Sequence, residues 1–204
     1  MFTGIVQGVG QIIDIIDHDK LRTYKVKLPD ELNHNLKIGA SIANDGCCLT
    51  VTGFEQDWVS FDIMQETLAL TTLGAKKIND YVNIERSAKY GDEIGGHVMS
   101  GHISCVATIT NIQKTATNCQ MTLAMPAQFM KYVLYKGFIG VDGASLTVGD
   151  IQQNCFDLHL IPETLAITTL DSKKIGDHVN IEIDSQTQAI VDTVERVLAA
   201  RTQN

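Results

Sequence analysis

Residues 95 to 102 read GGHVMSGH and set two imidazoles, His97 and His102, five positions apart among three glycines and a serine. As a metal site the stretch fails, because it lacks the i, i+4 helical spacing and any neighbouring Cys or carboxylate pattern. It fails as a phosphate loop too, since no lysine follows the glycines. An imidazole with an ordinary pKa near ~6.5 can also exchange protons at neutral pH. The competing reading of an isolated histidine is a hydrogen-bonded structural residue. The glycines fit an unusual turn or a close backbone approach.

A long internal repeat shifts that balance. Glu66 to Leu73 reads ETLALTTL and Glu163 to Leu170 reads ETLAITTL, 97 positions on. The same offset lays Cys48-Leu49-Thr50-Val51 on Ser145-Leu146-Thr147-Val148, Asp45-Gly46 on Asp142-Gly143, and Val82-Asn83-Ile84-Glu85 on Val179-Asn180-Ile181-Glu182. Thr3-Gly4-Ile5-Val6 falls on Ser100-Gly101-His102-Ile103, and no gap is needed. Collinear matches of this extent mean a duplicated domain. Against that background three positions differ chemically: His102 stands where the first copy has Ile5, Ser145 where it has Cys48, and Lys136 where it has Gly39. Two similar pockets with different functional groups would bind two similar ligands and treat them differently. For Cys48, beside Cys47, plain core packing is the alternative.

The elements that must position these groups are short strands. Val59-Ser60-Phe61-Asp62-Ile63 alternates apolar and polar, as does Phe156-Asp157-Leu158-His159-Leu160, each after a polar hinge. Further β-rich runs cover Ile5 to Ile16, Tyr24 to Leu28, Ser41 to Val51 and Val82 to Glu85, and the second copy follows suit. About six strands in each half suggest small closed barrels, which leave no exposed sheet edge. The spacing predicts a short helix over ETLALTTL, against which its threonines argue. In the unrepeated tail Ile190, Val191, Val194, Val197 and Leu198 keep helical spacing, with Asp192, Glu195 and Arg196 on the other side. This amphipathic helix either packs back on its own barrel or pairs with neighbouring chains. The expected organisation is an all-β chain of two tandem homologous six-stranded closed Greek-key barrels plus a C-terminal α-helix. Its units are an N-terminal barrel over 1–97, a C-terminal barrel over 98–186 and a helix over 187–204.

Composition excludes several classes. The net charge of −8 and the absence of a basic run argue against nucleic acid as a partner. The amino terminus lacks the charged flank and apolar core of a secretory signal, and no apolar stretch approaches a membrane span. Five cysteines, an odd number without CxxC spacing, fit free thiols in a reducing compartment, so a cytoplasmic location is expected.

The opening MFTGIVQG, then NDGCCLTV, GGHVMSGH, GVDGASLTV, LIPETL and the closing NIEIDSQTQAIVDTVERVLAAR together resemble the riboflavin synthases of the bacterial and fungal type, over essentially the whole chain. The resemblance implies a homotrimer built by the C-terminal helix, with active sites between the amino-terminal barrel of one subunit and the carboxy-terminal barrel of its neighbour. It implies dismutation of two molecules of 6,7-dimethyl-8-ribityllumazine, one giving four carbons to the other, and no metal or other cofactor. Two copies of one substrate would explain two copies of one pocket. By the same resemblance His102, Cys48, Ser145, Lys136, Asp184 and His97 are the catalytic candidates. Substrate grips in the first barrel would be Phe2, Thr3, Gly4, Ile5, Val6, Ser41, Cys48, Leu49 and Thr50, then Asp62, Ile63, Met64, Gln65, Glu66 and Thr67. The second barrel would offer Gly101, His102, Ile103, Lys136, Asp142, Ser145, Leu146 and Thr147, then Leu160, Ile161, Pro162, Glu163 and Thr164. A non-enzymatic lumazine or flavin carrier is a competing reading, since antenna proteins share the fold; a purely structural β-rich trimer is a third.

Overall fold

The structure is a computed structural model that describes residues 1–115 and 117–202, so the last two residues of the tail, 203 and 204, lie outside the described residues. The first half forms β1 (Gly8–His18), β2 (Leu21–Lys27), β3 (Ser41–Asn44), β4 (Cys47–Phe54), β5 (Trp58–Met64), α1 (Gln65–Leu70) and β6 (Tyr81–Arg86). The second repeats the order as β7 (Cys105–Lys114), β8 (Cys119–Ala124), β9 (Phe138–Val141), β10 (Ala144–Gln152), β11 (Cys155–Leu160), α2 (Pro162–Ile167) and β12 (His178–Ile183), followed by α3 (Ser185–Thr202). Each set closes into an antiparallel barrel, β1-β2-β5-β4-β3-β6 and β7-β8-β11-β10-β9-β12, so every strand edge is paired.

Alternation decides which way each strand faces. On β5, Val59, Phe61 and Ile63 are buried while Asp62 and Met64 face out; on β11, Phe156, Leu158 and Leu160 are buried while His159 faces out. Burying a side chain of this size contributes about 1.5–3 kcal/mol, so a one-residue slip in register would be costly. The expected run Ser41 to Val51 is broken in the middle: Asp45 (φ 44) and Gly46 (φ 79) both take positive φ in the two-residue turn joining β3 to β4. Asp142 (φ 43) and Gly143 (φ 85) do the same between β9 and β10. Asp-Gly is the pairing such turns demand, because their twist matches that of the strands. In ETLALTTL the helix stops at Leu70, and the Thr71 hydroxyl accepts from the Leu73 N–H to start a 3-10 turn over Thr72–Ala75. The threonines cap one short helix and open the next.

The expected strand from Ile5 begins only at Gly8, because residues 1 to 6 leave their own barrel. Val6 is buried in the core of the second barrel, and Ile103 packs against the core of the first. The two leading segments meet where Phe2 and Met99 exchange backbone hydrogen bonds of 2.8 and 2.9 Å. Behind them the Asp-Gly turns stand back to back: a Cβ on Gly46 would lie 2.7 Å from the Gly143 nitrogen.

Buried polar groups bind the barrels together in matched pairs. The Asn83 side chain donates to the Asp142 carbonyl (2.8 Å) and accepts from the Thr169 N–H (2.7 Å); Asn180 donates to the Asp45 carbonyl (2.9 Å) and accepts from Thr72 (2.7 Å). The Asp45 carboxylate accepts from the Asn83 N–H and pairs with Lys76 at 2.7 Å, as Asp142 does with Asn180 and with Lys173 at 2.9 Å. Burial, and after it the charge of Asp45, holds the Asp142 carboxyl up at about 6.

Candidate functional site

The first candidate face is the outer side of β3, β4 and β5, beside the start of α1. Cross-strand pairing sets Ser41 opposite Thr50, and Cys48, two residues before Thr50, faces the same way and is half-buried. Asp62 is exposed on β5, where it accepts a 2.7 Å hydrogen bond from the Thr23 hydroxyl; Met64, Gln65 and Glu66 are exposed beyond it and Thr67 is half-buried. Leu49 and Ile63 point inward into the core, so on this face they offer backbone only. Cys47 is buried, which pushes its thiol up to about 12 and leaves it inert, so of the cysteine pair Cys48 alone is presented for chemistry.

The rim of the pocket comes from the other half of the chain. The Cys48 N–H donates to the Gly101 carbonyl at 2.9 Å, and a Cβ on Gly101 would stand 2.5 Å from that of Cys48. Gly101 has φ 82, so both space and backbone require glycine there. His102 follows, exposed at the edge of the first pocket. Gly101, His102 and Ile103, which the resemblance groups with the second barrel, thus lie against the first, while Gly4, Ile5 and Val6 lie against the second. Gly4 (φ 74) accepts from the Ser145 N–H at 2.8 Å, and a Cβ on it would lie 2.5 Å from that of Ser145.

Two buried glutamates fix these loops. Glu85 accepts from the N–H and hydroxyl of Thr3 (2.6 and 2.8 Å) and from the Gly4 N–H; Glu182 accepts from the N–H and hydroxyl of Ser100 (2.6 and 2.8 Å) and from the Gly101 N–H. Burial raises both carboxyls, and the hydrogen bonds partly offset it. Sequence reasoning missed them, although a glutamate closing a buried strand in both copies was a visible signal.

In the second pocket β9 and β10 repeat the frame, with Phe138 opposite Thr147. Ser145 is half-buried, and its Oγ lies 2.6 Å from His97 Nδ1. Gly96 permits this approach, since a Cβ there would lie 2.5 Å from both the Ser145 Cβ and the Thr3 carbonyl oxygen. The imidazole stacks on Phe138, ring centroids 5.2 Å apart and 16° from parallel, and its Nε2 is buried without a hydrogen-bond partner. Burial lowers the His97 pKa below its ordinary 6.5, and the charge of Asp184 works the other way. Lys136 is exposed, with φ 62 at the position of Gly39 (φ 87), and its Nζ sits 5.0 Å from the centre of the Tyr135 ring. Leu146 and Leu160 belong to the core; Ile161, Pro162 and Glu163 are exposed and Thr164 is half-buried.

Two candidates sit elsewhere. Asp142 is wholly buried between the barrels, where its carboxylate pairs with Lys173 and accepts from the Asn180 N–H. Asp184 caps α3, accepting from the N–H and hydroxyl of Thr187. Burial would raise its pKa, but those hydrogen bonds outweigh it and hold the carboxyl below its usual value. Among the described residues no cluster of His, Cys, Asp and Glu is arranged to hold a metal ion, and no helix is long and apolar enough to cross a membrane.

Known proteins place this geometry. The lumazine binding domain model matches twice, over residues 3–87 and 100–184, which is the repeat at its offset of 97. The chain is 56% identical over 202 residues to the riboflavin synthase of Escherichia coli, covering 98% of this chain and 95% of that one. It is 50% identical over 199 residues to the riboflavin synthase of Buchnera aphidicola subsp. Schizaphis graminum, covering 97% and 96%. Among solved structures, LumP complexed with 6,7-dimethyl-8-(1'-D-ribityl) lumazine superposes with a TM-score of 0.83 at 27% identity, covering 91% of this chain and all of that one.

Proposed function

The chain belongs to the riboflavin synthase family of tandem lumazine-binding domains, and on that premise we propose how its two pockets divide the family's reaction. The activity is that of a transferase: two molecules of 6,7-dimethyl-8-ribityllumazine dismutate by four-carbon transfer to riboflavin and 5-amino-6-ribitylamino-pyrimidinedione. One observation carries the division of labour. The same backbone frame sets Cys48 against Gly101, the residue before His102, on one barrel and Ser145 against Gly4 and His97 on the other.

The reaction requires a proton to leave the acidic 7-methyl group of one lumazine while a ring carbon of the other is opened to nucleophilic addition. His102, at the rim of the first pocket, is the proton shuttle, and Cys48 beneath it polarises or briefly adds to the ring there. Ser145 plays the matching part in the second pocket, with neutral His97 on its hydroxyl. Lys136, at the rim of that pocket, balances developing negative charge. Asp184 acts through its charge on His97. Backbone groups of β4, β10 and the crossed loops grip the ring edges, and Thr50, Thr67, Thr147 and Thr164 offer hydroxyls to the ribityl chain. Holding two rings face to face can contribute roughly 7–11 kcal/mol, so positioning is the largest part of the work.

Both pockets are open faces on the single chain, which supports a trimer in which the first-barrel pocket of one subunit closes on the second-barrel pocket of its neighbour. Residues 1–97 and 98–186 are the two ligand-binding units. The helix, α3 with the tail to 204, is the assembly element, and five free thiols support a cytoplasmic location. The test is to incubate the purified chain with the lumazine and follow riboflavin absorbance. Riboflavin formation with stoichiometric release of the pyrimidinedione is the expected result; tight fluorescent binding without turnover would favour a carrier.

A further inference from the structure

In the second pocket the part of the site that the repeat does not explain is an aromatic ring. Phe138 occupies the register position that Ser41 holds in the first barrel, each directly across from a pocket threonine. The substitution accompanies a second one. Ser145 replaces Cys48, and His97, immediately before the second copy begins, lies 2.6 Å from its Oγ. The pocket with a histidine on its serine is thus the pocket with a phenylalanine beside it, and the pocket without that histidine has a small hydroxyl residue instead.

Phe138 is not there to fill the core. It is 53% exposed, while the imidazole it covers is only 7% exposed. A single hydrogen bond from Nδ1 to Ser145 leaves an imidazole free to swing about that bond; a ring stacked at 5.2 Å and 16° removes the swing. The same ring keeps water off a nitrogen that has no other partner, Nε2.

We propose that Phe138 is a positioning residue of the second-barrel pocket, its ring holding a dry, neutral His97 in line with the Ser145 hydroxyl. This rests on the reading of His97 and Ser145 as reacting groups. With Nδ1 accepting a hydrogen bond from the Ser145 hydroxyl, the neutral ring carries its own hydrogen on the buried Nε2. The elements around the imidazole are β9 with Phe138, β10 with Ser145 and the junction of β12 and α3 with Asp184, and Asp184 is the charged group among them. Its charge favours the imidazolium and the dry stack opposes it, so removing the stack tips the balance toward protonation.

The sign follows directly. A His97 pKa depressed in the folded enzyme keeps the base available down to a pH below 6.5. Phe138→Ser, which restores the first-barrel residue, should raise that pKa toward or above ~6.5 and move the acid limb of the kcat/KM profile up with it. It should also lower kcat by up to about 10²-fold through misplacement of the ring. Phe138→Leu, which keeps apolar cover without a stack, should leave the titration nearer its original place while still lowering kcat; Phe138→Tyr should restore both. The His97 titration is read by NMR on the intact protein and the profile by riboflavin formation. A Phe138→Ser protein with a raised KM but unmoved kcat, acid limb and His97 titration would make Phe138 a simple substrate contact and overturn the proposal. Wild-type turnover in His97→Gln and Ser145→Ala would instead overturn the underlying reading, whatever the titration does.

Discussion

His102 and Ile5 occupy equivalent positions in the repeat, yet each follows a glycine hydrogen-bonded to the opposite barrel, and this changes what a substitution can do. His102→Gln keeps some hydrogen bonding but cannot exchange a proton at neutral pH. It should cut the single-turnover rate by about 10² to 10⁴ and leave ligand dissociation nearly unchanged. Ile5→His should not rescue it, because that side chain arrives beside Ser145, where His97 is already in place. Loss of binding with an unchanged bound-state rate would make His102 a structural residue. The sequence nominates such residues because the two copies differ there: His102, Ser145 and Lys136 stand against Ile5, Cys48 and Gly39. A search for differences gives no role to what both copies retain, so Glu85, Glu182, Asn83 and Asn180 stood in the repeat without a function although they hold the loops and the barrels. The surroundings of Asp142 were hidden for a related reason: its Asp-Gly turn has no polar neighbour in sequence to show that Lys173 and Asn180 close over it.

The period of its apolar residues made α3 legible, but not the face by which it docks. Its acidic side meets its own second barrel, where Lys131 lies 2.5 Å from Glu195 and 3.5 Å from Asp192, and the Tyr132 hydroxyl donates to Asp192. The apolar side, with Ile190 64% exposed and Val194, Val197 and Leu198 also open, is left for another surface. Exposed ion pairs contribute little, about 0–1 kcal/mol, so they orient the helix more than they anchor it. Truncation after Asp184 should therefore lower the mass seen by ultracentrifugation and abolish activity with it, and a fully active monomer would refute the proposed assembly. The leading segments illustrate the opposite limit. The offset of 97 identifies Thr3 to Val6 and Ser100 to Ile103 as equivalents but carries no information on which barrel each one meets, because a pseudo-symmetric exchange preserves every local contact type.

Across the molecule, the Asn83 and Asn180 clamps set one barrel against the other, and with them the placement of each crossed loop over its pocket. Asn83→Ala would orphan the Asp142 carbonyl and the Thr169 N–H, each at a cost of about 1–3 kcal/mol, and guanidinium unfolding should show that loss. A change within about 0.5 kcal/mol would mean that the clamp is not what joins the barrels. Residues 1–97 alone should still fold and bind a lumazine without turning it over, since Gly4 to Val6 of a second copy can occupy the place that Gly101 to Ile103 vacate. Cooperative melting and ligand fluorescence would show it, and a disordered fragment would contradict it. The account as a whole rests on a first-barrel pocket in one chain working with a second-barrel pocket in another, and complementation tests that most directly. His102→Gln disables the first pocket and Ser145→Ala the second, so chains of the two kinds, differently tagged and assembled together, contain some pairings with both pockets intact. Random assembly makes about one pairing in four intact, and the mixed protein should recover about that share of wild-type riboflavin formation. Mixed trimers no more active than either variant alone would show that each chain uses its own two pockets, and would contradict the shared site.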